Sequence, residues 1–221
     1  MTITTVVADD QALVRAGFRK ILEAAPGIAV VGEANDGLEA VRVVSEVRPD
    51  VALLDIRMPR LDGIEAARQM LRDPNARTRV MMLTTFGVDE YVFASLKAGA
   101  SGFLLKDAPP EQLIDAVRVV AAGDALLAPQ ITRSVIERFV ASDYDPTLGS
   151  RVDSLSPRET EVLRSLTRGL TNAELAAELF VSEATVKSHV AGLLTKLGVR
   201  DRVQAVIAAY ESGLVRPGSS R

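Results

Sequence analysis

Val51-Ala52-Leu53-Leu54-Asp55 is a run of four apolar residues that ends on a carboxylate. A strand buried on both faces shows no alternation of apolar and polar residues, so a short continuous apolar run fits the middle of a parallel sheet. The same unit recurs on either side. Ile3 to Ala8 is a β-rich run ending in Asp9-Asp10, and Val14, Phe18, Ile21 and Leu22 follow at helical spacing. Ile28 to Val31 reads as a second strand, followed by a helix marked by Val41, Val44 and Val47 and closed by Pro49. After Asp55 the spacing predicts a helix over Ile64 to Leu71, stopped before Pro74, and a strand over Val80 to Leu83 ending in Thr84. A helix over Glu90 to Ala98 with Gly99 beyond it, a strand over Gly102 to Leu105 ending in Lys106, and a helix over Glu111 to Ala121 complete the series. Five βα units in a row predict a doubly wound, five-stranded parallel sheet with helices on both faces.

From Ser154 the pattern becomes all-helical. Ser156-Pro157-Arg158-Glu159 is a capping box with proline at the first helical position, and Thr171-Asn172-Ala173-Glu174 is a second box just after Gly169. Ser182 caps a third helix and Asp201, with Gln204, a fourth. Ala173 to Leu179 is thus a short helix, Phe180-Val181-Ser182 a tight turn, and Glu183 to Leu197 a longer helix. Between the halves, Ile131, Val135 and Phe139 predict one short helix, and residues 141–150 are rich in Ser, Asp, Pro, Thr and Gly. The expected organisation is an α/β domain over 1–122, a linker over 123–150 and a small all-α domain over 151–221.

A chain of 221 residues suits two domains, and 48% apolar with 25% charged residues is ordinary for a globular protein. No apolar run approaches the roughly 18–20 residues that span a bilayer. The first residues show no signal peptide, so a cytoplasmic protein without a membrane partner is expected. The absence of cysteine excludes disulfides, thiolate metal sites and cysteine nucleophiles. The net charge of −3 argues against a general polyanion binder, but it divides unevenly. Residues 151–221 hold ten basic and eight acidic side chains, whereas residues 1–150 hold sixteen and twenty-one. Only the second half carries the sign expected of a nucleic-acid surface.

In an open α/β sheet, ligands sit beyond the carboxyl ends of the strands, where the winding reverses. Those ends carry Asp9, Asp10, Asp55, Thr84 and Lys106. A single Asp at a strand end is usually a turn or cap residue, and a single Thr or Lys there is usually solvated. Five such groups converging make a site. Carboxylates are hard oxygen ligands suited to Mg²⁺. Asp55, on the central run, is a candidate nucleophile for an aspartyl phosphate. Lys106 can pair with Asp55 and then with phosphoryl oxygens, and the Thr84 hydroxyl can donate to one of them.

Residues 3–121 resemble the receiver domain of two-component response regulators, a flavodoxin-like fold. The matching stretches run from Val6 to Asp10, from Leu53 through Asp55 and Pro59 to Gly63, from Leu83 through Thr84 to Phe86, and from Gly99 through Phe103 and Lys106 to Asp107. The resemblance implies that Asp55 is the phosphoacceptor and that Asp9, Asp10, Asp55 and the Arg57 main-chain carbonyl hold Mg²⁺. It also implies that Thr84 and Phe103 form a switch pair, although a buried Phe103 could equally be plain core. Asp107 stands where many receivers have a proline, often after a cis bond. Because a cis bond before a non-proline residue is costly, the geometry at Lys106–Asp107 is left open.

On the longer C-terminal helix, Val186, Val190, Leu193, Leu194 and Leu197 form a buried stripe. The opposite face, with Ala184, Lys187, Ser188, Ala191 and Thr195, is small and polar enough to enter a major groove. The only histidine, His189, lies within reach of a phosphate. A short amphipathic helix pair is by itself more often packing than a DNA reader. The strings Leu155 to Leu163, Gly169 to Ala176 and Phe180 to Val190, however, are similar to the LuxR/FixJ-type (NarL-like) helix-turn-helix over residues 151–215. The resemblance implies that Lys187, Ser188 and Ala191 face bases, with Thr185, His189 and Lys196 near the backbone.

The resulting expectation is a DNA-binding response regulator. A sensor histidine kinase phosphorylates Asp55, and two protomers occupy paired half-sites on double-stranded DNA. One rival keeps the fold but works without phosphorylation, as an orphan transcription regulator. An aspartyl-phosphate phosphohydrolase is a second rival, disfavoured because that chemistry wants an acid/base Asp where Arg57 stands. A third makes the helical domain a protein-interaction module.

Overall fold

The computed structural model describes residues 2–72, 77–85, 89–123 and 146–215. The chain divides into two units, Met1–Leu126 and Leu127–Arg221.

In the first unit, β1 (Ile3–Ala8), α1 (Ala12–Glu23), β2 (Ile28–Ala34), α2 (Gly37–Val47) and β3 (Val51–Asp55) are followed by α3 (Gly63–Met70), β4 (Arg79–Thr84), α4 (Asp89–Lys97), β5 (Gly102–Leu105) and α5 (Pro110–Ala121). The strand order is β2-β1-β3-β4-β5, and every neighbouring pair is parallel. The winding therefore reverses between β1 and β3. Val7, Leu53, Met81, Leu83 and Leu104 pack with Phe18 and Leu22 of α1 and with Leu113, Ala116, Val117 and Val120 of α5. The alternate residues Val6, Ala52, Leu54, Val80, Met82 and Phe103 are equally buried and face the other way. There α2 and α3 supply Ala40, Val43, Val44, Ala66 and Ala67. Both sheet faces are covered, which is the physical reason that β3 shows no alternation.

β2 runs three residues beyond the predicted Ile28 to Val31. Gly32, Glu33 and Ala34 pair with Val6, Val7 and Ala8 but break the apolar pattern. Gly32 is small because Val43 of α2 comes within 2.6 Å of where a Cβ would stand. Arg48, left-handed at φ 45°, caps α2 ahead of Pro49. Every described peptide bond is trans, Lys106–Asp107 included.

The second unit contains α6 (Pro146–Asp153), α7 (Pro157–Thr167), α8 (Asn172–Leu179), α9 (Glu183–Leu197) and α10 (Arg202–Glu211). All four caps read from the sequence are present. Ser156 with Glu159 and Thr171 with Glu174 form complete capping boxes, Ser182 accepts from Thr185 N–H, and Asp201 accepts from Gln204 N–H. Val162, Leu163, Leu166, Leu175, Leu179, Val186, Leu193, Leu197, Ala205 and Ala208 make the core, with Val190 and Leu194 partly buried against it.

Helix α6 corrects the sequence reading, which left residues 146–150 in the linker. Leu148 and Val152, four apart, cover this core together with Leu155, and Arg151 Nη1 donates to the Leu197 carbonyl at 3.0 Å. Gly149 and Ser150, both poor helix formers, obscure the period. The predicted helix around Ile131, Val135 and Phe139 lies outside the described residues. No helix among the described residues is long and apolar enough to cross a membrane.

Candidate functional site

Parallel register aligns the strand ends. Ala8 pairs with Leu54, Asp55 with Leu83 and Thr84 with Leu105, and Lys106 N–H donates to the Thr84 carbonyl at 2.7 Å. Asp9, Asp55, Thr84 and Lys106 therefore share one edge of the sheet. Asp9, Asp55 and Thr84 are buried, whereas Asp10 is exposed. The Lys106 Nζ bridges the two buried carboxylates, 2.6 Å from Asp9 Oδ2 and 2.9 Å from Asp55 Oδ2. Asp9 Oδ1 accepts from Gln11 N–H at 2.9 Å. One carboxylate oxygen from each of Asp9, Asp10 and Asp55 lies within 4.8 Å of the others.

Backbone contacts hold the β3–α3 loop against the pocket. Gly63 N–H donates to the Ile56 carbonyl at 2.9 Å. The left-handed Arg60 ion-pairs with Asp36, the buried cap of α2. The Arg57 guanidinium donates to Tyr91 Oη at 2.6 Å and sits 5.4 Å from the centre of that ring, tying the loop to α4.

Burial pushes the Asp55 carboxyl above its ordinary range, and the Asp9 charge adds to the rise. Lys106 and the Arg57 main-chain N–H oppose it without cancelling it. For Lys106, burial works to lower the pKa, but hydrogen bonds to Asp55 and Asp9 leave it raised. The pocket thus holds three carboxylates against one ammonium. Unmatched negative charge and hard oxygen donors fit a divalent cation such as Mg²⁺.

The raised Asp55 pKa has a consequence for stability. Its contribution is fully present below the unfolded value of about 3.9 and is lost as pH rises through the higher folded value. Asp55→Asn removes that loss. In thermal unfolding at pH 7 without divalent cations it is expected to melt above wild type, with the gap closing near pH 4. A lower melting temperature for Asp55→Asn at pH 7 would contradict this sign.

In the second unit, Thr185, Lys187, Ser188 and Ala191 are exposed on α9, and His189 is half-buried. Thr185 Oγ1 is 2.9 Å from Ser182 Oγ, so this hydroxyl belongs to the cap. Lys196 is engaged within the unit: its Nζ lies 2.7 Å from Glu159 Oε2. Hydrogen bonds from Lys196, then from the Ser156 backbone and side chain, hold the Glu159 carboxyl down to about 2. Lys196 must surrender this ion pair to reach a phosphate. Phe103 is 2% exposed, its ring in the core.

Sequence reasoning missed Arg15, whose Nη1 donates to the Asp9 carbonyl at 2.7 Å. Its place one helical turn after Gln11 was a weak signal. The Arg57–Tyr91 and Lys196–Glu159 pairs were also missed, because their partners are distant in sequence.

Residues 5–118 match the family described as "Response regulator receiver domain" and residues 153–209 that described as "Bacterial regulatory proteins, luxR family". The chain belongs to the two-component response regulators of the NarL/FixJ type, which join a receiver to a LuxR-type DNA-binding domain. It is 42% identical over 215 residues to the uncharacterized transcriptional regulatory protein YxjL of Bacillus subtilis (strain 168), covering 97% of this chain and 98% of that one. Among solved structures it resembles the response regulator ChrA of a heme-sensing two-component system, with 39% identity, 97% and 99% coverage and TM-score 0.52. It also resembles the response regulator RcsB in a DNA complex, with 26% identity, 97% and 100% coverage and TM-score 0.55. The protein is a transcriptional regulator.

Proposed function

We propose that a sensor histidine kinase passes a phosphoryl group to Asp55, and that this controls binding of the C-terminal unit to double-stranded DNA. The observation that carries this reading is the Lys106 ammonium bridging Asp9 and Asp55 in a buried pocket at the strand ends. Asp9, Asp10, Asp55 and the Arg57 carbonyl would hold Mg²⁺, which offsets repulsion between the carboxylate and the incoming phosphoryl group. An Asp55 carboxylate oxygen attacks phosphorus, and the bond to the donor atom breaks. Lys106 then exchanges its contact with Asp55 Oδ2 for a phosphoryl oxygen, and the Thr84 hydroxyl donates to another. That displacement at Thr84, with a turn of the Phe103 ring, is the switch. Phosphorylation biases an existing equilibrium, so partial activity without it follows.

The receiver spans residues 1–122, the linker 123–150 and the DNA-binding domain 151–221, with Leu148 of α6 also packing on the core of the latter. In the cytoplasm, two protomers occupy paired half-sites. Lys187, Ser188 and Ala191 of α9 face bases, and Thr185, His189 and Lys196 lie near the backbone, Lys196 after releasing Glu159.

Intact-protein mass after incubation with Mg²⁺ and acetyl phosphate tests the first step. One added phosphoryl group on wild type and none on Asp55→Asn is expected. If neither wild type nor variant gains a group from acetyl phosphate or from a kinase donor, the orphan-regulator reading replaces this one.

On DNA, Lys187→Ala is expected to weaken binding to the specific site by about 1–3 kcal/mol, as for a lysine on a guanine edge. Titration against specific and unrelated duplexes over a salt series checks this. Equal loss on both, with a shallower salt slope, would reassign Lys187 to a phosphate.

A further inference from the structure

Asp9 is held at every polar atom. Its N–H donates to the Ala34 carbonyl at 3.1 Å, Oδ1 accepts from Gln11 N–H, and Oδ2 meets Lys106. Its carbonyl accepts from Arg15 Nη1, one turn into α1. That carbonyl lies in the peptide plane joining Asp9 to Asp10. Fixing the oxygen fixes the plane from which Asp10, the exposed member of the acidic trio, sets out toward the pocket.

Arg15 is itself braced. Its side chain is 18% exposed, and Nε, buried without a hydrogen bond, faces Glu33 Oε2 at 3.5 Å. Glu33 stands on β2, level with Val7 of β1, and its other oxygen accepts from Arg19 Nη1 at 2.8 Å. The edge strand and α1 together thus aim one guanidinium at one main-chain oxygen.

We propose that Arg15, braced by Glu33, is a positioning residue for the divalent-cation site: it holds the Asp9–Asp10 peptide so that both carboxylates present to one ion. The inference rests on the Mg²⁺ site proposed above and adds two residues outside its ligand set. Groups that orient metal ligands from outside the coordination sphere commonly change affinity by about 10–100-fold when removed. Electrostatics alone predicts the opposite sign. Arg15 is a cation beside an acidic pocket, so deleting its charge would by Coulomb's law tighten Mg²⁺ binding. Loosening therefore distinguishes positioning from charge.

Calorimetric titration of Mg²⁺ into the metal-free full chain tests this, with thermal unfolding in chelator reporting whether each variant folds. Arg15→Met, which keeps the apolar stem, is expected to weaken Mg²⁺ about tenfold or more. Glu33→Gln leaves Arg15 in place and removes a negative charge, and is expected to weaken it less. Arg15→Lys should fall between wild type and Arg15→Met. If Arg15→Met does not fold, the charge-conserving Arg15→Lys carries the test with the same sign, because loss of the Glu33 charge would by itself weaken Mg²⁺. Wild type that binds Mg²⁺, Asp10→Asn that loses it, and Arg15 and Glu33 variants that bind as tightly as wild type or more so would overturn the positioning role alone. Wild type that binds no Mg²⁺ would overturn the metal site and this inference together.

Discussion

Gly63→Ala is expected to unfold on the order of 10 °C below wild type and to accept a phosphoryl group at Asp55 far more slowly. A Cβ at Gly63 would stand 1.9 Å from the Asp55 carbonyl oxygen and 2.9 Å from its carbonyl carbon, with Met82 Cε at 3.2 Å on another side. The obstacle is the backbone of β3 itself, which no rotamer change can move aside. Inserting a methyl group into a packed interior costs about 1–3 kcal/mol when side chains can yield, and rigid backbone places this substitution at the upper end. Relief requires α3 to back away, which breaks the 2.9 Å hydrogen bond from Gly63 N–H to the Ile56 carbonyl, or requires the end of β3 to shift, which moves the phosphoacceptor. Both routes disturb the loop that carries Arg57. Thermal unfolding and the rate of phosphorylation by acetyl phosphate, measured on one preparation, check the pair of effects. A variant that melts within about 2 °C of wild type and is phosphorylated at the wild-type rate would mean that the approach of α3 to Asp55 is looser than described.

Why the acidic pocket was legible in the sequence while its supports were not follows from the range of the signals. Asp9, Asp55, Thr84 and Lys106 each close an apolar run, and a parallel sheet in register lines up the ends of its strands. Local pattern and sheet geometry together therefore place them side by side. The caps of α7 to α10 were legible for a similar reason, because each is a bond between residues three apart. Glu33 shows the limit. It falls where β2 becomes polar, and its partner Arg15 lies on a helix that pattern alone cannot rotate into place. Lys196 and Glu159 are 37 residues apart, so the ion pair that engages this lysine left no local signal in the sequence. Helix α6 was hidden by composition, since Gly149 and Ser150 interrupt its apolar period.

Lys106→Met separates the two roles of the bridging ammonium. Methionine keeps most of the stem and removes the charge, leaving Asp9 and Asp55 face to face, both buried and unneutralised. Breaking a buried ion pair by removing one partner typically costs about 3–5 kcal/mol, and here one cation serves two carboxylates. Without divalent ions at pH 7, the receiver is therefore expected to lose stability of that order. The pH dependence has a definite sign. Burial and Asp9 already raise the Asp55 pKa against the pull of Lys106, and deleting Lys106 raises it further. The folded variant then binds a proton more readily than the unfolded chain, so the deficit is greatest above the raised Asp55 value and shrinks as pH falls through it. Added Mg²⁺ is expected to restore much of the loss, because an ion that binds only the folded state stabilises it by mass action. It cannot restore the lysine's contact with a phosphoryl oxygen, so a phosphorylated variant should still fail to raise DNA affinity. Denaturant unfolding at pH 5 and 7, with chelator and with Mg²⁺, followed by DNA titration of the acetyl-phosphate-treated protein, reads all three effects. Equal stability of variant and wild type at pH 7 in chelator would show that solvent, and not Lys106, neutralises the pair. A normal DNA response in the phosphorylated variant would remove Lys106 from the switch.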